Sequence, residues 1–374
     1  MSDAKPSSPK PTSEERILSG QSWEDFCDAL KNAGKEILRD SSPNNAFDRA
    51  EGLRYLTRLC RAAFETFIEG GDPCAPELRR IAHETVKMGA DNPDNHYLSA
   101  PISGKYEYRI TGTRGSVHYL GLGTQAGSYG ETGSLETTGY LDASDLEIGP
   151  NGEIDIAISV REQPGNWLRM REDSRLIVIR QTFGDRNTEA PASLTIRRTD
   201  GPHQPRAVTP QRIDHGLIGS ALFVAGSANF FNKWTEGFLQ HVNELPLFDN
   251  AVATAAGGIP DVDYYHSYWE LGADDALVIE VTPPECDYWN FQLNNHWMES
   301  LDYRYHRICL NYSDAVLEDD GSVRIIVAHQ DPGHPNWLET ASHERGSMCL
   351  RWIRASHKPV PKTTVVKLAD LLGA

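Results

Sequence analysis

The sequence predicts a mainly β, α+β fold: jelly-roll-like antiparallel β-sandwiches with an N-terminal helical segment. Three observations carry this. Apolar residues recur at helical spacing up to about residue 90. From Tyr106 onward the period falls to two, with Gly, Asn and Pro between the runs. The order is helices, strands, helix, strands, without the regular strand–helix alternation that a parallel sheet needs.

The elements follow in chain order. "MSDAKPSSPKPTSEER" is polar and Pro/Ser-rich, has no apolar core of a secretory signal, and reads as a disordered lead over 1–13. Residues 14–90 read as a helical region. In "SWEDFCDALKNAGKEIL", Trp23, Phe26, Cys27, Leu30, Ile37 and Leu38 fall mostly on one face, with Ser22 as N-cap. In "LRYLTRLCRAAFETFIEG", Leu56, Leu59, Cys60, Ala63, Phe64 and Phe67 form a stripe closed by Gly70 and Gly71, and a third helix is expected from Pro76 to Met88. Such stripes are core before they are cofactor sites. Residues 91–208 read as a first β-sandwich unit, with strands in "KYEYRITG", "SVHYLGLG", "EIDIAISV" and "RLIVIRQTF". Residues 209–260 read as one helix ending near Pro246, followed by the linker "NAVATAAGGIP". Residues 261–374 read as a C-terminal jelly-roll-like unit, with strands in "ALVIEVT", "YWNFQL", "SVRIIVAH" and "SMCLRWIRA".

The totals narrow the function classes. With 39% hydrophobic and 24% charged residues, a chain of 374 can bury a sizeable core. Its net charge of −17 repels phosphate backbones, which argues against a nucleic-acid partner. No apolar run or basic amphipathic segment suggests a membrane partner. Six scattered cysteines without C-x-x-C read as reduced thiols of a cytoplasmic protein, not as a disulfide or zinc framework. G-x-S-x-G, a Walker loop and a dinucleotide fingerprint are all absent. "GLGTQAG" has no helix-forming run or downstream acid behind it, so serine hydrolase, kinase and nicotinamide-dependent classes are disfavoured.

One β-unit is written twice. "PNGEIDIAISVREQPGNWLRMREDSRLIVIRQTF" and "DDGSVRIIVAHQDPGHPNWLETASHERGSMCLRWI" each hold a turn dipeptide, a β-branched strand, a Pro/Gly loop, Asn-Trp-Leu, a polar stretch and a second strand containing an arginine. The second copy has about one extra loop residue. A shared corner implies a shared structural role. The indole of Trp167 or Trp337 plugs a sandwich end, and the amide of Asn166 or Asn336 satisfies loop backbone. The corner does not need His329, His334 or His343, so these are the better candidates for chemistry. Plain surface histidines are the alternative.

Other clusters are weighed the same way. The spacing of His329, His334 and His343 matches no metal-ligand pattern, H-E-x-x-H is absent, and no metal is expected. His266, Tyr268 and Glu270 in "YYHSYWELG" share one face of a predicted strand, as an acid–base couple or as the polar face of an edge strand. "FQLNNHWMESLDYRYH" has the amides and aromatics of a pocket wall, or of an ordinary sandwich end.

Together, "DNPDNHYLSAPISGKYEYRITG", "GNWLRMREDSRLIVIRQTF", "YWNFQLNNHWMESLDY" and "AHQDPGHPNWLETASHERGSMCLRW" resemble the bacterial family catalogued as domain of unknown function 1214, often found with a related domain numbered 1254. The resemblance spans roughly Asp91 to Arg354. It implies a jelly-roll-like C-terminal sandwich preceded by a second one, and it implies no particular activity. Ser342 stands where the family pattern would have Gly, and His334 where an apolar residue would be usual.

The functional expectation is a cytoplasmic enzyme acting on an apolar small molecule, such as a terpenoid, steroid or aromatic compound. The reaction would be cofactor-free acid–base work of the lyase, isomerase or hydrolase type. His329 or His343 would be the base and Glu299 or Asp331 its partner. Trp297 and Trp337 would be walls, and Asn294 or Asn336 donors to developing charge. His266, Tyr268 and Glu270 complete the binding candidates. A homo-oligomer is possible. The rival expectation is a non-catalytic module that binds a ligand or carbohydrate or takes part in assembly.

Overall fold

A computed structural model describes residues 10–259 and 261–372, so most of the expected disordered lead lies outside the described residues. Helix α1 (Ser13–Ser19) opens on a capping box in which Thr12 and Glu15 bond reciprocally. Gly20, at φ 82°, ends it and starts α2 (Gln21–Ala33). The expected cap Ser22 therefore lies inside α2, where its hydroxyl donates to Asp214 at 2.6 Å. The amphipathic reading holds for Phe26 of α2 and for Ile37 in the 3-10 turn that follows it, both buried, whereas Trp23 and Leu38 are exposed. Helix α3 (Ala46–Ala63) starts at the N-cap Asn45 and runs on as a π-helical turn to Glu69.

The helix expected from Pro76 to Met88 does not form. Arg79 instead exchanges both backbone bonds with Ser99, at 2.9 and 2.8 Å. It thereby caps the open edge of the first sheet, and tertiary pairing overrides the helical periodicity.

Sixteen strands form four sheets among the described residues. The first unit contains β1 (Asn95–Pro101), β2 (Tyr108–Thr113), β3 (Tyr119–Ser128), β4 (Ser134–Asp142), β5 (Glu153–Ser159), β6 (Trp167–Arg169), β7 (Leu176–Thr182) and β8 (Ser193–Arg198). Their orders are β1-β7-β3-β4 and β6-β5-β2-β8. After α4 (Pro210–Phe238) and α5 (Asn250–Ala255), the second unit contains β9 (Val262–Glu270), β10 (Asp275–Val281), β11 (Tyr288–Leu293), β12 (Cys309–Asn311), β13 (Val323–Ala328), β14 (Trp337–Glu339), β15 (Arg345–Ile353) and β16 (Lys362–Lys367), and α6 (Leu368–Leu371) follows. Its orders are β9-β15-β11-β12 and β14-β13-β10-β16. Moving each first-unit strand eight places along reproduces them. In each unit the Asn-Trp-Leu strand pairs in parallel, β6 with β5 and β14 with β13, among otherwise antiparallel pairs.

Each sandwich encloses its own apolar core, and a third core joins α3 and α4 to Trp297. Helix α4, capped by Thr209 with Pro210 in its first turn, lies against α2, α3 and β9. No helix among the described residues is long and apolar enough to cross a membrane.

Candidate functional site

Strand alternation decides what β15 presents. Met348, Leu350 and Trp352 enter the sandwich core, while Ser347, Cys349 and Arg351 point to the opposite face. On β11, Phe291 and Leu293 point inward and Asn290 and Gln292 outward. An outward face is normally wet, but residues 90–95 and the helices cover this one, so its polar groups must bond one another. Asn290 donates to Asn92 Oδ1 at 3.0 Å, and Gln292 donates to Asp91 O at 2.9 Å and Asn294 Oδ1 at 2.6 Å. Buried Arg351 donates to Gln292 Oε1 at 2.5 Å, Asn290 Oδ1 at 3.3 Å and Ala90 O at 2.5 Å.

Opposite this face lies the matching face of the first unit, with a cavity of about 510 Å³ between them. Leu176, Val178 and Arg180 of β7 line one side, Tyr264, His266 and Arg351 another, and Phe223 and Phe231 of α4 a third. Register relates the two arginines. Arg351 sits directly across from Tyr264 on β9, and Arg180 directly across from Tyr97 on β1. Arg180 donates to Gly257 O at 2.7 Å.

His266 lies among Trp234, Phe238, Phe248 and Tyr264, stacked on Phe238 at 5.4 Å. Burial, with the nearby Arg351 charge, pushes its imidazole down to about 3. Cys349 Sγ is 3.9 Å from His266 Nε2, and burial pushes that thiol up to about 11. A nucleophilic Cys–His couple needs thiolate character, and here both groups are held neutral. His266 Nδ1 is buried and has no partner.

A second cleft of about 240 Å³ is lined by Arg58, Lys87, Asn295, Asp302, His306 and His343, among others. Beside it the Arg58 guanidinium meets Glu299 at 2.6 Å, both buried, and Asn295 donates to the other carboxylate oxygen at 2.9 Å. Burial raises the Glu299 carboxyl, and Arg58 opposes the rise. His343 Nδ1 is 2.9 Å from Ala341 O, its ring meets Phe47 edge-on at 4.9 Å, and its buried Nε2 has no partner. Burial lowers this imidazole too. Ser342, at φ 68°, occupies the left-handed region that favours glycine, which accounts for the glycine expected there.

The structure scatters the remaining expected site residues. His329 bonds Thr340 Oγ1 at 2.8 Å and Leu271 O at 3.3 Å. Asp331 is exposed and accepts from Gly333 N at 2.7 Å, a turn bond. Trp337 is half-buried, packs with Ala276, Ile326 and Leu368, and donates to Ala328 O at 3.0 Å. These three therefore belong to the β14-β13-β10-β16 side, away from Trp297, which packs with α3 and donates to Asp48 O at 2.9 Å. Asn294 is fully buried in the amide network. Tyr268 bonds His296 Nδ1 at 3.0 Å, and Glu270 pairs with Arg345 at 3.3 Å, so His266 and Glu270 form no couple. Asn336 Nδ2 donates to Val316 O and Arg324 O while its Oδ1 accepts from Val316 N; Asn166 repeats the pattern with Glu147 and Asp155. Both asparagines are corner residues. The expected pocket between 294–303 and 329–346 thus keeps only the neighbourhood of Glu299 and His343. Arg351, Arg180, Tyr97 and Tyr264 were missed; their signal was the arginine in the second strand of each sequence copy.

A family model described as "Protein of unknown function (DUF1214)" matches residues 270–357. A crystal structure of an uncharacterized protein from Burkholderia cenocepacia shares 48% identity, covering 96% of this chain and 100% of that chain, with a TM-score of 0.94. The chain belongs to the DUF1214 family. A Vibrio parahaemolyticus protein matches 84% of this DUF1214 chain and 98% of its own at 13% identity, with a TM-score of 0.49. No curated protein matches. Among the described residues, no group of three or more His, Cys, Asp or Glu side chains is placed to hold a metal ion.

Proposed function

We propose that this DUF1214 protein binds an apolar small molecule in the cavity between its two sandwiches. The observation that carries this is the cavity itself: about 510 Å³, walled by Leu176, Val178, Phe223, Phe231 and Ile353 with a few convergent polar groups. Native mass spectrometry of the purified protein tests it, together with fluorescence titration of the neutral dye Nile red. A retained molecule, or saturable dye binding that Val178→Trp weakens, is the expected result. Absence of both sinks the proposal.

A second reading adds cofactor-free lyase, isomerase or hydrolase chemistry on that ligand. The unpartnered His266 Nδ1 on the cavity wall favours it; because the imidazole is held at about 3 and is a weak base, this reading requires a bound anion that offsets the Arg351 charge and raises it. In this reading His266 replaces His329 and His343 as the base, because His329 is committed to Thr340 and Leu271 and His343 lines the smaller cleft. His266→Phe retaining full turnover would end it. The non-catalytic rival keeps the same cavity without chemistry.

The matched strand orders and the identical asparagine bonds support reading the two units as copies of one duplicated module. Chain crossings between facing sheets support the jelly-roll-like description. Six free cysteines support a cytoplasmic location, and the net charge of −17 supports partners other than nucleic acid or membrane. Exposed Leu18, Trp23 and Leu53 support a homo-oligomer.

A further inference from the structure

Two cations on the cavity wall lack a negative partner. The carboxylates that line the cavity are otherwise engaged: Glu65 pairs with Arg61, Glu77 with Arg79 and Glu131 with Arg175. Asp91 accepts from Ser300 N at 3.1 Å and Ser300 Oγ at 2.8 Å. Among the described residues, Arg351 and Arg180 form no ion pair, and their hydrogen bonds go to neutral amide and carbonyl oxygens. A guanidinium does not shed its proton on burial, so it needs a counter-charge or extensive hydrogen bonding.

The two groups also converge. They occupy corresponding places in the two units, each across from a tyrosine on the neighbouring strand. Burial raises the phenols of Tyr97 and Tyr264, and both arginines lie close enough to oppose the rise at each. Arg351 is held from behind by amides that are themselves bonded, so its position is set before a ligand arrives. Tyr97 Oη accepts from Asn92 N at 2.9 Å, which leaves its own proton free to donate.

We infer that the cavity takes an amphipathic acid, with its carboxylate between Arg351 and Arg180 and its apolar body against Val178, Phe223 and Phe231. This rests on the cavity being a small-molecule site. The planar, multi-donor guanidinium suits a carboxylate better than a hydroxyl or an ester, because its charge-assisted bonds are stronger and can be bidentate.

Isothermal titration with decanoate and decanol, which share a tail and differ in the head group, tests the inference. Decanoate should bind about ten- to a hundredfold more tightly, the strength of a charge-assisted bond. Arg351→Met and Arg180→Gln should each cut that preference while leaving decanol affinity nearly unchanged. Arg180 is half-buried, so its variant keeps the test alive if Arg351→Met does not fold. Equal affinity for the two probes in the wild type would overturn the acid while leaving the cavity reading standing. A preference that survives both substitutions would also overturn it. Binding of neither probe would remove the cavity reading and the inference with it.

Discussion

The two units share strand order, corner and arginine–tyrosine pair, yet the second is buried on faces that the first leaves open. In the first unit, β2 and β5 present Arg109 and Asp155 to solvent as an exposed ion pair. In the second, no residue of the corresponding strands β10 and β13 is exposed, and Arg58 of α3 reaches buried Glu299. Asn166 works in a partly exposed corner, whereas Asn336 makes the same three bonds fully buried. One β-pattern tolerates both settings because its corner bonds are local. The helical cover decides which copy's polar groups lose access to water.

The largest expected effect probes that cover. Arg58→Met should destabilise the protein by about 3–5 kcal/mol in urea denaturation, because it strands a buried carboxylate. Arg109→Ala in the first unit should cost less than about 1 kcal/mol, as exposed pairs do. Equal costs would mean that the cover does not dry the second unit. Next comes the corner. Asn336→Ala should cost about 2–3 kcal/mol and Asn166→Ala about 1 kcal/mol, since water can replace the lost bonds only where it has access. A reversed order in denaturation midpoints would break the comparison.

The third comparison is in pH. His266 is held at about 3 and His296 at about 4, both by burial first, against an ordinary imidazole near 6.5. The unfolded chain therefore binds more protons below 6.5. Stability is intact above that pH and falls as the pH drops toward 3, by about 2 kcal/mol per histidine at pH 5. Asp91 and Glu299, whose carboxyls burial raises, act in the opposite sense, so the measurement is a difference. His266→Phe should flatten the wild-type loss between pH 6.5 and 5. Ser99, paired with Val178 where His266 pairs with Cys349, cannot titrate, so that position of the first unit adds no such slope, and there only His96 on β1, which burial also lowers, contributes in the same sense. An unchanged slope in His266→Phe would show that this histidine is wetter than its surroundings imply.

Much of the β architecture was legible because strand periodicity and turn dipeptides act over short stretches. The asparagine role at the corner was legible for the same reason: Asn336 bonds residues 316 and 324, within the copy that repeats it. The failures share a cause as well. Residues 76–88 carry a helix-compatible pattern, but Arg79 bonds Ser99 of β1 and His83 bonds Val86 in a local turn. His329 and His343 looked free because the first copy lacks them, and packing gives both a local bond. Trp337, taken as a pocket wall, is only half-buried on a different sheet.

By itself the sequence determined many of the strands and turns, and that one stretch of turn, strand, Asn-Trp-Leu and arginine-bearing strand is written twice in similar residues. Those features depend on alternation, turn chemistry and bonds between residues near in the chain. Only the tertiary structure decided that Arg351 and Arg180 face one cavity, that Asn290 and Gln292 are dry, and that His266 is neutral. Arg351 bonds Ala90 and Arg180 bonds Gly257 across long stretches of chain. Desolvation and counter-charge are set by whatever packs against a group, and here the packing comes from remote parts of the chain.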